Sequence, residues 1–218
     1  MKTKPVFSTI FILTTVFFYS VLVYAQEIKS IKLSAPQTEG GKPLMQALKD
    51  RKTMREFSSK QLPLQVISDM LWAANGINRP DSGYRTAPSA INMQEIDIYV
   101  AKADGLYLFD AKANMLSPVM AEDIRALTGK QAFVKEAPIN LIYVADLSKM
   151  SKLSTDAIDL YASTDTGFIS ENVYLFCSSA GLATVVRGSI DKTALAKAMK
   201  LRPDQRIILA QTVGYPNN

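Results

Sequence analysis

The stretch from residue 139 to residue 145 restricts the fold of this 218-residue chain more than any other part of the sequence. It is apolar except at Asn140 and is rich in residues that favour strands, with no alternation of polar and apolar positions. A strand with this pattern is covered on both faces. The sequence therefore predicts a central strand that lies between two layers of other elements.

Further strands are predicted before and after this one. Residues 96–100 alternate apolar and polar side chains, and the Asp104-Gly105 turn that follows predicts a hairpin with residues 106–109. Residues 182–186 and 207–213 are two more apolar runs of the buried type.

Helices are predicted where apolar residues recur at helical spacing next to a proline or glycine. They occupy residues 43–51, 63–75, 118–127, 156–180 and 191–200. Gly76 is predicted to cap the second helix in the left-handed conformation, Gly167 to interrupt the fourth, and Gly181 to end it. Because strands and helices occur in mixed order, the sequence predicts an α+β sandwich rather than a repeating parallel fold.

The first 25 residues have the features of a secretory signal peptide. Lys2 and Lys4 precede an apolar run that ends in small residues, which predicts cleavage after Ala25. An uncleaved membrane anchor is the alternative, because the run approaches the roughly 20 residues that a bilayer span needs. Residues 26–42 are polar and aperiodic and predict a flexible linker, so the folded domain is expected over residues 43–218. In either case we expect this domain to be exported, periplasmic or secreted.

The residue types present exclude several kinds of catalyst. The chain has no histidine and one cysteine, which excludes Ser-His-Asp and Cys-His nucleophile systems, and we predict no metal site. Cys177 lies in an apolar stretch and is interpreted as a small buried hydrophobe. The net charge of +5 comes without a basic stripe, so nucleic-acid binding is not expected. Chemistry on this chain must use carboxylates or an imported cofactor.

The densest group of polar residues directly follows the first predicted helix. Arg51, Lys52, Thr53 and Arg55 supply three cations and a hydroxyl. Guanidinium groups bind phosphate through paired hydrogen bonds, so this segment is a candidate anion site. It is equally compatible with a solvated helix end whose cations interact with the helix dipole.

Two later segments could also contact a ligand. Pro88, Ser89, Ala90 and Asn92 belong to a segment that, taken alone, is a turn, but its hydroxyl and amide groups could hydrogen-bond the edge of a flat heterocycle. The other segment runs through a predicted strand to Arg187-Gly188, where the glycine would let backbone N–H groups approach a ligand.

Together the three segments resemble the FMN-dependent nitroreductase family in their order and spacing. Arg51-x-Thr53-x-Arg55 is similar to the family's entry motif, and residues 88–94 are similar to the loop that one subunit lends to the flavin of its partner. Shorter similarities extend the resemblance over residues 44–216. Residues 71–77, 85–89 and 106–110 are most similar to the branch that contains oxidases of azoline rings in modified peptides.

The resemblance implies an α/β/α sandwich with a central, mainly antiparallel sheet flanked by helices, and a homodimer with FMN at its interface. Arg51 and Arg55 would hold the FMN phosphate, with Lys52 and Thr53 beside them. Backbone N–H groups near Arg187 and Gly188 would meet the N5 edge of the flavin. Arg55 would also stabilise the negative charge that the ring gains on reduction.

The activity that this resemblance implies is hydride transfer through flavin N5, in a ping-pong cycle, between a reduced small-molecule donor and a small acceptor such as a nitro or quinone compound. Two alternatives stay open. One is an exported protein that binds a flavin without turnover, and the other is a dehydrogenase of the azoline type.

Overall fold

The computed structural model describes residues 28–217. The predicted signal peptide over residues 1–25 lies outside these residues. Within the described range, no helix is both long enough and apolar enough to cross a bilayer.

Nine strands occur in the described residues, and seven of them form the main sheet. They are β1 (Ile31–Lys32), β2 (Ile77–Arg79), β3 (Tyr84–Arg85), β4 (Ile96–Lys102), β5 (Gly105–Asp110), β6 (Met115–Met120), β7 (Ile139–Asp146), β8 (Ala183–Arg187) and β9 (Gln205–Gly214). The main sheet has the order β1-β6-β5-β4-β7-β9-β8, and each neighbouring pair is antiparallel. Strands β2 and β3 form a separate hairpin. The predicted α+β class with a mainly antiparallel sheet is confirmed.

The central position predicted for residues 139–145 is also confirmed, because β7 lies between β4 and β9 and every one of its residues is buried. Leu141 and Tyr143 face one core, whereas Ile142 and Val144 face the other. Full burial of one such aliphatic side chain contributes roughly 1.5–3 kcal/mol. The sheet must therefore be covered on both sides.

Four α-helices provide this cover together with short 3₁₀ turns: α1 (Leu44–Asp50), α2 (Leu64–Asn75), α3 (Thr155–Ala180) and α4 (Lys192–Ala198). Buried residues of α2 and α3 belong to the same core as Leu141, and those of α4 to the opposite core. Helix α3 ends at Gly181, whose φ of 69° is the predicted left-handed cap.

Three predictions for helices were wrong. Gly76 is extended, with a φ of −74°, because its carbonyl accepts the backbone N–H of Thr86 as the chain enters the β2–β3 hairpin. Gly167 does not interrupt α3, which is continuous. Residues 118–127 contain the end of strand β6 and a 3₁₀ turn instead of a helix. Pro118 is accommodated in β6 beside a register shift, where a missing backbone N–H is tolerated.

Part of the segment predicted as a flexible linker, residues 26–42, packs on the domain. Ile31 and Lys32 pair with β6, and the side chain of Leu33 is buried in the core that contains α2 and α3. The linker prediction was therefore wrong for residues 31–33, since three residues without a recognisable period are enough to add a short edge strand.

Candidate functional site

The predicted anion-binding segment leaves α1 and runs beside the edge strand β8. The backbone N–H of Met54 donates to the Thr184 carbonyl at 3.0 Å, and Phe57 forms an isolated bridge with Pro216. Phe57 is buried in a small apolar cluster with Ala183 and its neighbours. The apolar residues thus hold this segment against the sheet, while Lys52, Thr53 and Arg55 stay exposed.

Tyr174 of α3 connects the segment to the end of β8. Its hydroxyl lies 3.1 Å from the Thr53 hydroxyl and accepts a hydrogen bond of 3.0 Å from the backbone N–H of Val186. The guanidinium carbon of Arg51 lies over its ring, 5.3 Å from the centroid, as in a cation–π pair. Tyr174 was not predicted as a site residue, because its only signal in the sequence is a tyrosine within an otherwise apolar helical stretch.

The three cations of this segment lack acidic partners. Within residues 28–217, neither Arg51, Lys52 nor Arg55 forms a salt bridge with a carboxylate. Uncompensated positive charge at one place attracts an anion. A cleft of about 430 Å³ lies beside the segment. Lys52, Tyr174 and the acidic Asp50 line it, whereas Arg51, Thr53 and Arg55 lie outside its lining.

The segment predicted to contact a heterocycle forms a tight 3₁₀ turn over Ala90–Asn92. The Ser89 hydroxyl accepts the backbone N–H of Gln94 at 2.8 Å, and the backbone N–H of Ala90 donates to the Asp165 carboxylate at 2.9 Å. Ile91 has a φ of 44°, which is strained for a β-branched residue, and its side chain is 83% exposed.

Pro88, Ser89 and Asn92 line a separate cleft of about 190 Å³. None of them lines the larger cleft beside Lys52. Within one chain, the structure therefore does not bring the two predicted groups into one cavity.

A buried pair of carboxyl groups lies beneath this turn. Glu95 and Asp165 are both buried, and neither carboxyl oxygen of Glu95 has a hydrogen-bond partner among the described residues. Burial, followed by the nearby charge of Asp165, raises the pKa of Glu95 to about 7, although Lys149 opposes the shift. This pair could not be predicted from local sequence patterns, because its members lie 70 positions apart.

Arg187 does not present its side chain at the surface, whereas Gly188 is exposed. The Arg187 guanidinium turns into the core and donates to Asn140 Oδ1 at 2.9 Å, to Thr212 Oγ1 at 3.1 Å and to the Thr128 carbonyl. Burial lowers the pKa of Arg187 to about 10. The Arg187 side chain is therefore directed away from the surface, and contact of a ligand with backbone N–H groups near residues 187–188 stays a prediction.

Comparison with known proteins agrees with this arrangement. Residues 48–215 match the sequence profile described as the Nitroreductase family. The chain belongs to the nitroreductase family. The predicted family is confirmed, and membership makes the chain an oxidoreductase.

Two relatives cover most of the length of this chain. A crystal structure from Ralstonia eutropha, assigned to the nitroreductases, is 41% identical, with a TM-score of 0.84, and the match covers 88% of this chain and 91% of that one. A protein of Methanocaldococcus jannaschii with the same assignment is 29% identical over 183 residues, which are 79% of this chain and 91% of its own.

A more distant structure shares the fold alone. It is the NADPH:FMN oxidoreductase of Vibrio harveyi in complex with NAD⁺, which is 16% identical, with a TM-score of 0.60, over 80% of this chain and 69% of that one. The nitroreductase fold predicted for this chain is thus confirmed.

Proposed function

We propose that this chain is an FMN-dependent oxidoreductase that passes reducing equivalents from a small donor to a small acceptor such as a nitro or quinone compound. The observation that carries the proposal is the group of three cations without carboxylate partners, Arg51, Lys52 and Arg55, beside the hydroxyl groups of Thr53 and Tyr174. The name of the Vibrio harveyi oxidoreductase, which shares the fold, supports FMN as the cofactor.

The donor groups present fit the phosphate end of FMN. A phosphate monoester is an acceptor with up to two negative charges, and it is bound best by guanidinium groups and hydroxyls. Arg51, half-buried on the Tyr174 ring, has its position restricted before any ligand arrives. The adjacent cleft of about 430 Å³ falls within the usual size range of cofactor sites.

The residues of this chain would then act by binding and orientation. Arg51 and Arg55 would hold the phosphate end, with Lys52 and Thr53 beside them, and the charge of Arg55 would also stabilise negative charge on the reduced ring. At the exposed Gly188, the absence of a side chain leaves the backbone N–H accessible to a ring edge. When bound, FMN supplies hydride transfer at N5, and alternation of donor and acceptor in one site would give ping-pong kinetics.

We further propose that the functional unit is a homodimer. Large apolar side chains are exposed on α1, on the 88–94 turn and on α3: Leu44, Met45, Leu48, Ile91, Leu160 and Phe168. Exposed apolar surface of this kind is typical of an interface. Because the 88–92 turn and the cation segment line different clefts in one chain, a partner could contribute Ser89 and Asn92 to the site.

The proposed location is outside the cytoplasm, on the basis of the first 25 residues. NADPH is scarce there, so the physiological donor need not be a nicotinamide. A reaction in the dehydrogenase direction, of the azoline type, belongs to the same proposal with donor and acceptor exchanged.

The test is to purify the chain from residue 26 onward, incubate it with FMN, remove free FMN by gel filtration and record the absorbance. We expect flavin bands to co-elute with the protein at one FMN per chain and at the mass of a dimer. Mixing with reductants and then with nitro or quinone acceptors separates the possible activities. Flavin that stays bound but is not reduced and reoxidised would show that the protein binds flavin without turnover. The absence of bound flavin would overturn the proposal.

A further inference from the structure

The guanidinium of Arg187 is a buried charge without an acidic partner. Its residue is 4% exposed, and its three hydrogen-bond acceptors are an amide, a hydroxyl and a backbone carbonyl. No carboxylate among residues 28–217 forms a salt bridge with it. Each of its three nitrogens has a neutral acceptor, and its guanidinium carbon lies 5.9 Å from the centroid of the Phe133 ring, so the charge is surrounded by polar and aromatic groups without an opposite charge among the described residues.

The surrounding structure is adapted to this charge. A side chain at Gly129 would collide with the Arg187 guanidinium, although the φ of 179° at Gly129 suits any residue. The glycine is therefore required by space and not by backbone conformation. Burial of an unpaired cation is unfavourable by several kcal/mol, which an apolar residue would avoid.

The charge persists at neutral pH. Even though burial lowers the pKa of Arg187 to about 10, the group is protonated at pH 7. Its backbone continues into the exposed Gly188, at the end of the edge strand β8. In the low dielectric of a core, a charge acts on its surroundings more strongly than it would in water.

We propose that Arg187 is a positioning residue whose buried charge stabilises the reduced, anionic form of a flavin bound at the β8 end, and so raises the reduction potential of that flavin. This inference rests on the proposed function. Reduction adds two electrons and one proton to the neutral ring and leaves one net negative charge on it. A hydride donor supplies all three, whereas dithionite supplies the electrons and water supplies the proton. A fixed cation whose residue directly precedes Gly188 would favour that product through its charge, without touching it.

The experiment uses two pairs of variants in the full FMN-loaded protein. Arg187→Gln removes the charge, and Arg187→Lys keeps it. Asn140→Asp leaves Arg187 in place but sets a carboxylate 2.9 Å from its Nη2, which cancels the charge. Asn140→Ala is the control without added charge: like Asn140→Asp it loses the hydrogen bond to the Val134 carbonyl, and it also loses the acceptor for Arg187 and Thr212. For each protein, the reduction potential of bound FMN is measured against a reference dye, and folding is checked by circular dichroism.

We expect the reduction potential of bound FMN to be lower in Arg187→Gln than in Arg187→Lys, and lower in Asn140→Asp than in Asn140→Ala. The expected difference is at least about 30 mV, which for a two-electron couple is a tenfold weaker preference for reduced over oxidised FMN. If Arg187→Gln does not fold, the difference in reduction potential between Asn140→Asp and Asn140→Ala tests the inference. Equal potentials within both pairs would overturn the inference while leaving the proposed function intact, whereas a wild-type protein that binds no FMN would remove both.

Discussion

The hydroxyl of Tyr174 lies 3.1 Å from the hydroxyl of Thr53, although 121 positions separate them in the chain. The same tyrosine oxygen accepts the backbone N–H of Val186. One side chain of α3 therefore fixes both the cation segment and the end of β8. These two parts of the chain carry most of the predicted site.

Tyr174→Phe is expected to weaken FMN binding about three- to tenfold while leaving the fold intact. It removes one hydroxyl from a site where a neutral hydrogen bond contributes about 0.5–1.5 kcal/mol. Fluorescence titration of the apoprotein with FMN measures the effect. Tyr161→Phe, in the same helix but outside the site, is the control, and equal affinity in the two variants would show that Tyr174 only supports the fold.

Replacing Arg51 and Arg55 together by alanine should weaken FMN binding by about 3 kcal/mol or more, which is over a hundredfold, because two charge-assisted hydrogen bonds to phosphate are lost. Riboflavin, which lacks the phosphate, should bind both proteins about equally. The double variant Lys112→Ala with Lys197→Ala changes the net charge by the same amount at exposed positions outside the segment and should bind FMN normally. An unchanged affinity in the arginine variant would place the phosphate elsewhere.

Glu95 is expected to make the stability of the domain fall as pH rises. Its pKa is raised from 4.5 to about 7 in the folded protein, so the folded state holds a proton that the unfolded state releases between these values. The free energy of unfolding should therefore decrease from about pH 4.5 to 7, by on the order of 3 kcal/mol.

Glu95→Gln removes the carboxyl group that titrates. The variant should be more stable than the wild type at pH 8, with little advantage at pH 4.5. Urea unfolding at the two pH values measures the difference. The exposed Glu136 provides a control as Glu136→Gln. If the advantage of Glu95→Gln were the same at both pH values, Glu95 would not titrate in this window.

Replacing Gly129 and Gly167 by alanine, one at a time, should change the stability of the domain in opposite directions. Gly129→Ala places a methyl group against the Arg187 guanidinium and is expected to cost about 1–3 kcal/mol. Gly167→Ala adds a methyl group to α3 where no atom lies within 4 Å, and should stabilise by roughly 0.5–1 kcal/mol. Thermal unfolding compares them, and a destabilised Gly167→Ala would reveal a contact on that face of α3.

The sequence was sufficient for features that depend on local pattern. The unbroken apolar run of β7, the Asp104-Gly105 hairpin and the Gly181 cap all follow from neighbouring residues. Residues 118–127 were mispredicted because their apolar spacing fits either period. Pairing with β5 makes residues 118–120 the end of a strand, and a 3₁₀ turn begins at Arg125. Gly76 is extended because of a partner ten positions away, Thr86.

The residues of the candidate site also differ in whether they can be predicted from the sequence. Arg51 and Arg55 could be found because they are adjacent in the sequence to a helix end. Tyr174 and the Glu95–Asp165 pair could not, because their partners meet only after α3 has packed across the sheet. The direction of the Arg187 side chain was equally hidden, since a strand residue next to a glycine can face either side.

Strand β1 has a practical consequence for experiments with this protein. It occupies one edge of the seven-stranded sheet, whereas β8, beside which the cation segment runs, occupies the other. The chain therefore enters the domain at the border remote from the cations. An affinity tag or a surface linkage joined ahead of residue 28 would leave the cleft beside Lys52 open to solvent, so immobilised protein should still take up cofactor.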